Sequence, residues 1–397
     1  MPKSCWLVLA WLLAPAAPLL ALGPEGPIEE VSLSEENFFD LLSYQYPAQW
    51  DREFHAHPSG LRATVGSLSQ ERFYQHQELV LDQPLGDQVG FGYRYLENSL
   101  YYSATPTQQA YFRFGQPWHL DLVGFPAAAK KDGDLGWAFG YGLRHRGFYF
   151  RASRLYENLL YNQKNRSPGL AEVTDQSVNN PVTDRLEVTW QGGGDWYLNG
   201  DWSHQATASH RWNQGALETR RSGTQYQGRV EWGTERVWGL RVLGERVFKE
   251  EWALSSRRQD LGYRWEELYT RWPVAPDWEL TLGGQQGRFW DQVGADDPLS
   301  RFSSDLASRQ VYGQALVTQK EGLQWLLALQ GGRAELTQRY PFSRDDQDLR
   351  GVQLKASLGA VFFEADHWRL YLNSTWDLDL IIGRQWDGGN LQLMLFF

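Results

Sequence analysis

From about residue 61 onward, apolar and polar positions alternate with a period of two, the pattern of strands that bury or shield one face. Near the end of the chain, Trp368, Leu370, Leu372, Ser374, Trp376 and Leu378 share one face, and Arg369, Tyr371, Asn373, Thr375, Asp377 and Asp379 share the other. Val352, Leu354, Ala356, Leu358, Ala360 and Phe362 form a second apolar face, and Leu135, Trp137, Phe139, Tyr141 and Leu143 a third. Shorter stripes occur at Leu186, Val188 and Trp190, at Trp196, Leu198 and Trp202, at Tyr226, Val230 and Trp232, and at Trp278, Leu280 and Leu282.

Alternation alone also fits the half-buried strands of a soluble sandwich. The connections add what is missing. Tight turns are predicted at 84–87, 115–117, 192–195, 275–277, 320–322 and 365–367, and long polar loops near 157–183, 205–222, 291–307 and 338–350. Short and long connections thus alternate, as in an up-and-down barrel with short turns on one side of a membrane and long loops on the other. The expectation is an all-β, transmembrane antiparallel barrel of about 16–18 strands over residues 61–397, each of about 9–11 residues. The strand near 61–68 is the least distinct of them.

The first 60 residues differ. Lys3 precedes a nearly uninterrupted apolar run from Cys5 to Leu20, followed by the small residues Ala21 and Gly23. This is the layout of a secretory signal peptide over residues 1–23, and the run is shorter than the roughly 20 residues of a spanning helix. Residues 24–60 are expected to form an extension with a short helix. Ser34 stands as N-cap before Glu35 and Glu36, Phe38, Leu41 and Leu42 share a face, and Pro47 follows. That extension could lie in the periplasm, plug the lumen or dock a periplasmic partner.

Composition sharpens the picture. The 397-residue chain has a mean hydropathy of -0.53 yet carries 20 Trp and 15% aromatics. A polar lumen inside an apolar, aromatic-rimmed wall reconciles the two. A net charge of -10 argues against nucleic acid, which needs a concentrated basic surface. The one cysteine, Cys5, lies in the segment expected to be removed, so no disulfide, thiolate metal site or cysteine nucleophile is expected.

The last strand reads GNLQLMLFF, with Leu391, Leu393, Leu395 and Phe397 alternating on one face. This resembles the C-terminal assembly signal of Gram-negative outer-membrane β-barrel proteins, in which a terminal aromatic follows alternating apolar residues. The resemblance implies residence in the outer membrane among its lipid and lipopolysaccharide, and a partner in the outer-membrane assembly machinery.

Candidate lumen-lining residues are Arg94, Arg144, Arg185, Arg229 and Arg369 with Glu187, Glu231, Asp377 and Asp379. Arg113, Arg151, Arg241, Lys355, Asp121, Asp201, Glu245 and Glu279 fall on polar faces as well. The two signs nearly balance. No catalytic arrangement emerges, and neither an enzyme nor a cofactor is expected. Asp201 and Ser203 share the inner face but His204 alternates outward, which separates base from nucleophile. His55 and His57 lack a third metal ligand nearby. The expected function is a channel or export conduit for polar solutes. A structural or assembly barrel is one alternative, and a secreted glycan-binding β-protein, suggested by the tryptophans, is another.

Overall fold

A computed structural model describes residues 59–396, apart from stretches within connections at 69–71, 99–106, 126–133, 158–175, 180–181, 193–194, 213–216, 253–255, 321, 343–345, 365–366 and 379–385. The signal-peptide segment 1–23, the helix expected within 24–60, the His55 and His57 pair, Asp379 and Phe397 lie outside the described residues.

The strands are β1 (Gly60–Leu68), β2 (Arg72–Pro84), β3 (Val89–Asn98), β4 (Thr107–Phe114), β5 (Trp118–Phe125), β6 (Asp134–His145) and β7 (Phe148–Tyr156). A short β8 (Gln176–Asn179) precedes β9 (Val182–Gly192), β10 (Trp196–Trp212), β11 (Leu217–Trp232), β12 (Val237–Trp252) and β13 (Ser256–Ala275). The wall continues through β14 (Trp278–Ala295), β15 (Phe302–Lys320), β16 (Leu323–Arg339), β17 (Gln347–Glu364), β18 (Trp368–Asp377) and β19 (Trp386–Phe396).

Every pairing is antiparallel, chain neighbours pair except around β8, and β19 closes on β1 from Gly60 opposite Phe396 to Leu68 opposite Gly388. β8 pairs only with the upper end of β10, and β7 pairs directly with β9. Nineteen strands less β8 leave a closed wall of 18. β1 is a full member of that wall. The closing seam carries a side-chain bond as well: the Gln392 amide donates to Thr64 Oγ1 at 3.1 Å.

The alternation sorts as expected. Outward residues such as Phe112, Leu120, Leu122, Phe139, Leu327, Leu358, Leu372 and Leu391 are exposed, while their neighbours Asp121, Tyr371, Thr375 and Gln392 are buried toward the interior. Tryptophans gather at the short-turn end of the outer face. Trp118, Trp196, Trp278 and Trp368 begin their strands, and Trp232 ends β11. Trp118 stacks on Phe139 at 5.5 Å and Trp196 on Trp232 at 6.1 Å. Amphipathic rings in this position make an interfacial girdle.

The wall is uneven in height. β4 and β5 have 8 residues each, whereas β13 has 20 and β15 has 19. At about 3.3 Å per residue these are roughly 26 Å against 66 Å of strand. The extra length corrects three sequence expectations. The segment 205–222 is not a loop: β10 runs on to Trp212 and β11 begins at Leu217. The segment 291–307 is mostly β14 and β15 around a single 3-10 turn at Pro298–Ser300, and 338–350 shrinks to 340–346. These residues lost the outward apolar stripe because the outer face of the projecting strands is polar while the inner face mixes polar residues such as Ser304 with apolar ones such as Leu306, not because the strands end.

Above the apolar band the outer faces of β12–β17 carry arginine–carboxylate pairs. Arg246 meets Asp260 at 2.6 Å, Arg288 Nε meets Asp305 at 3.0 Å and Arg339 meets Asp348 at 2.9 Å, while Arg264 pairs with Glu266.

Candidate functional site: the charged inner wall

The charged side chains of the inner face form two networks toward the short-turn end. The first spans β2–β10. Arg113 and Arg151 converge on Asp121, at 3.1 and 2.7 Å. Arg151 also reaches Glu187 at 3.8 Å, and Arg113 reaches Asp82 at 4.0 Å. Arg185 bridges Glu187, at 2.6 Å, and Asp201. Tyr149 Oη donates to Glu187 at 3.4 Å, and the Arg113 and Arg151 guanidinium groups lie over the Tyr111 ring at 5.1 and 5.7 Å. With Arg94, which also reaches Glu187, four arginines face the four carboxylates Asp82, Asp121, Glu187 and Asp201.

One contact has a consequence for the shape of the lumen. Arg94, on β3, meets Glu187, on β9, at 3.4 Å. Five strand steps separate them along the wall, or about 24 Å at the usual spacing. Two side chains cannot span that distance on a straight sheet. The wall from β3 to β9 therefore curls tightly, and this ion pair crosses the interior.

The second network spans β11–β15. Tyr269 donates to Glu231, and Arg271 reaches both Glu231, at 3.4 Å, and Glu279, at 3.9 Å. Arg241 sits 3.8 Å from Glu267 and 4.5 Å over the Trp265 ring, and Tyr312 donates to Glu267. Tyr111 of the first network and Tyr269 and Tyr312 of the second rest on glycines of an adjacent strand. An added Cβ at Gly92 would stand 2.1 Å from the Tyr111 ring, and one at Gly239 would stand 2.1 Å from that of Tyr269. Only a residue without Cβ lets the ring lie flat and bring its hydroxyl to the carboxylate.

Several predicted lumen residues are therefore brought together: Arg94, Arg185 and Glu187 in the first network, and Glu231 in the second. Arg229 is 3% exposed beside that second network on β11. Arg369 lies elsewhere, on β18, with its guanidinium 5.6 Å over Phe363. Arg144 falls on β6 opposite Tyr149, and Asp377 on β18 opposite Lys355. Sequence reasoning missed Asp82, Glu267 and Arg271, and it missed the tyrosines. An inward tyrosine opposite a polar-face glycine was the available signal.

It also missed that part of the inner face is apolar. Leu316, Leu326, Val361, Tyr371 and Met394 form a buried cluster over β15–β19, with Val361 at 0% exposure. A second cluster, Leu261, Trp265, Phe289, Leu306, Ala334 and Leu336, lies higher on β13–β16. Gln225 and Gln227 on β11, by contrast, share the inner face of Arg229 and Glu231 and are exposed. The wet part of the interior thus adjoins the charged networks. His204 does alternate outward, stacking on Trp202 and bonding Thr224 at 2.8 Å, while Asp201 stays inward with Arg185.

A closed antiparallel wall with an apolar aromatic-rimmed exterior and a charged interior defines the class of transmembrane β-barrels of the outer-membrane type. No family model matches the chain, and no curated protein matches it. Solved barrels do. The outer-membrane channel DcaP of Acinetobacter baumannii is similar at 7% identity and a TM-score of 0.39, over 85% of this chain and 96% of its own. A bacterial polysaccharide outer membrane secretin matches at 11% identity and 0.38, covering 86% and 99%. An outer-membrane channel of Pseudomonas putida F1 matches at 10% and 0.35, covering 93% and 100%. These likenesses are of fold alone.

Proposed function

We propose that this protein is an outer-membrane channel for polar solutes, with the path running along the charged networks of β2–β15. The observation that carries the reading is the cross-lumen pair Arg94–Glu187 within a ladder of four arginines and four carboxylates. Barrels of 16–18 strands enclose an aqueous interior. A balanced charged lining favours hydrated, polar solutes over apolar ones and confers weak ion selectivity. Export through a signal peptide over 1–23, and insertion by an assembly machinery that reads Leu391, Leu393, Leu395 and Phe397, belong to the same reading.

The buried apolar clusters over β13–β19 favour a second reading, a barrel whose interior is largely filled and whose role is structural or in assembly. Conductance separates the two. In planar bilayers the refolded protein should carry ions, intact or after removal of residues 24–58. Glu187→Gln should raise conductance by freeing Arg94 and shift selectivity toward anions. Arg94→Gln should also raise conductance but shift selectivity toward cations. Should neither form conduct, the filled barrel is the correct reading.

A further inference from the structure

The outer wall contains a basic feature that the channel reading leaves unused. Arg309 on β15 and Arg333 on β16 are register partners, directly opposite each other and both exposed. They point outward, since Gln310 beside Arg309 and Ala334 beside Arg333 are buried on the inner side. Opposed like charges on adjacent strands are destabilising unless something of opposite sign lies between them. The nearby carboxylates are engaged otherwise. Glu266 holds Arg264 and Gln286, Asp305 holds Arg288, and Glu335 stands 3.8 Å from Arg350. The acid–base pairing that neutralises the rest of this outer face therefore skips Arg309 and Arg333.

Their height on the wall is equally specific. One row toward the short-turn end, Val311 stands 68% exposed, in line with Leu268 and Leu354. On the other flank, Arg333 is the partner of Val352, which is 60% exposed. These residues are the upper edge of the apolar band. The arginine pair therefore begins the polar zone where lipid headgroups begin, on the end with projecting strands. Guanidinium groups are suited to phosphate by their planar donor fork.

We propose that Arg309 and Arg333 form a clamp for the phosphate of an outer-leaflet lipid headgroup, with the acyl chains lying along Val311, Leu329 and Val352. The assignment rests on membrane residence and is independent of whether the lumen conducts. Two arginines beside an anionic headgroup correspond to about a 30-fold gain in affinity. The test uses the purified full chain in neutral detergent, titrated with a bis-phosphorylated glycolipid (lipid A) and with the same glycolipid stripped of its phosphates. The wild type should bind the phosphorylated form about 30-fold more tightly. The double variant R309Q/R333Q should bind both forms alike, and E335Q should keep the preference. Absence of a preference in the wild type, or its survival in the double variant, overturns the clamp. Displacement of the glycolipid by millimolar inorganic phosphate overturns the lipid assignment in favour of a general anion site. If R309Q/R333Q does not fold, as judged by the mobility of the unboiled protein on a detergent gel, R333Q alone decides in the same titration. Failure of the wild type itself to insert into vesicles would be a separate result, against membrane residence.

Discussion

The low side of the wall, β2–β7, and the tall side, β10–β17, are built from one continuous sheet but meet different surroundings. On β5 and β6 of the low side the outward residues stay apolar, as in Trp118, Leu120, Leu122, Leu135 and Phe139. On the tall side they begin the same way, with Trp278, Leu280 and Leu282, and then change to Gln286, Arg288 and Gln292 within one strand, β14. Backbone pairing continues unchanged across that change. Period-two alternation therefore records which solvent touches the outer face, and not how far the strand extends.

The comparison is broken most severely by placing a charge in the apolar band. Leu372→Arg on β18 should destabilise the barrel by about 2–4 kcal/mol in a lipid-bilayer unfolding titration, the cost of a cation near the bilayer midplane. Gln292→Arg, on the projecting part of β14, should stay within about 0.5 kcal/mol of wild type, as surface changes usually do. Equal losses at the two sites would mean that the tall strands do not leave the membrane.

A smaller effect is expected from the glycines. Gly239→Ala forces the Tyr269 ring off its neighbour and away from Glu231, an overpacking that costs about 1–3 kcal/mol. Gly351→Ala, on the tall part of β17 with nothing within 4 Å of the new methyl, should be neutral or stabilising by up to about 1 kcal/mol. Chemical denaturation of the refolded proteins ranks the pair. If the two cost the same, the close Tyr269–Gly239 approach is not a feature of the folded state.

Much of the wall was legible because lipid imposes a strict rule on one face. The faces of β6, β17 and β18, the turns at 84–87 and 275–277 and the closing strand through Leu391 all follow from it. The three projecting hairpins were not legible, because water on the outer face removes the outward apolar residues and the inner face mixes apolar Leu306 and Leu336 with polar Ser304 and Gln338. The candidate site was legible residue by residue but not as contacts. Arg94, Arg185 and Glu187 could be placed on the inner face by parity. Their meeting depends on strand register and on the curl of β3–β9, which no local pattern encodes. The inner apolar residues Val361 and Leu326 were hidden for a related reason: apolar residues on both faces of β16 and β17 blur the alternation that marks which face is outside.

The smallest expected effect concerns the outer ladder of the tall side. Asp305→Asn removes the partner of Arg288, an exposed pair worth about 0–1 kcal/mol. The loss should shrink further in molar salt, where such pairs are screened. A large, salt-independent loss would show that this zone is not in contact with water.

The central claim, a wet conduit along the charged side of the interior, is tested most directly by single-cysteine block of current. The chain has Cys5 as its one cysteine, so a Cys5→Ser background leaves introduced thiols unique. In a planar bilayer, Gln227→Cys on the exposed inner face of β11 should react with a bulky charged, membrane-impermeant thiol reagent, and the current should fall stepwise. Val311→Cys on the outer face should leave it unchanged. No current in either variant, or the same response from both, would contradict the account.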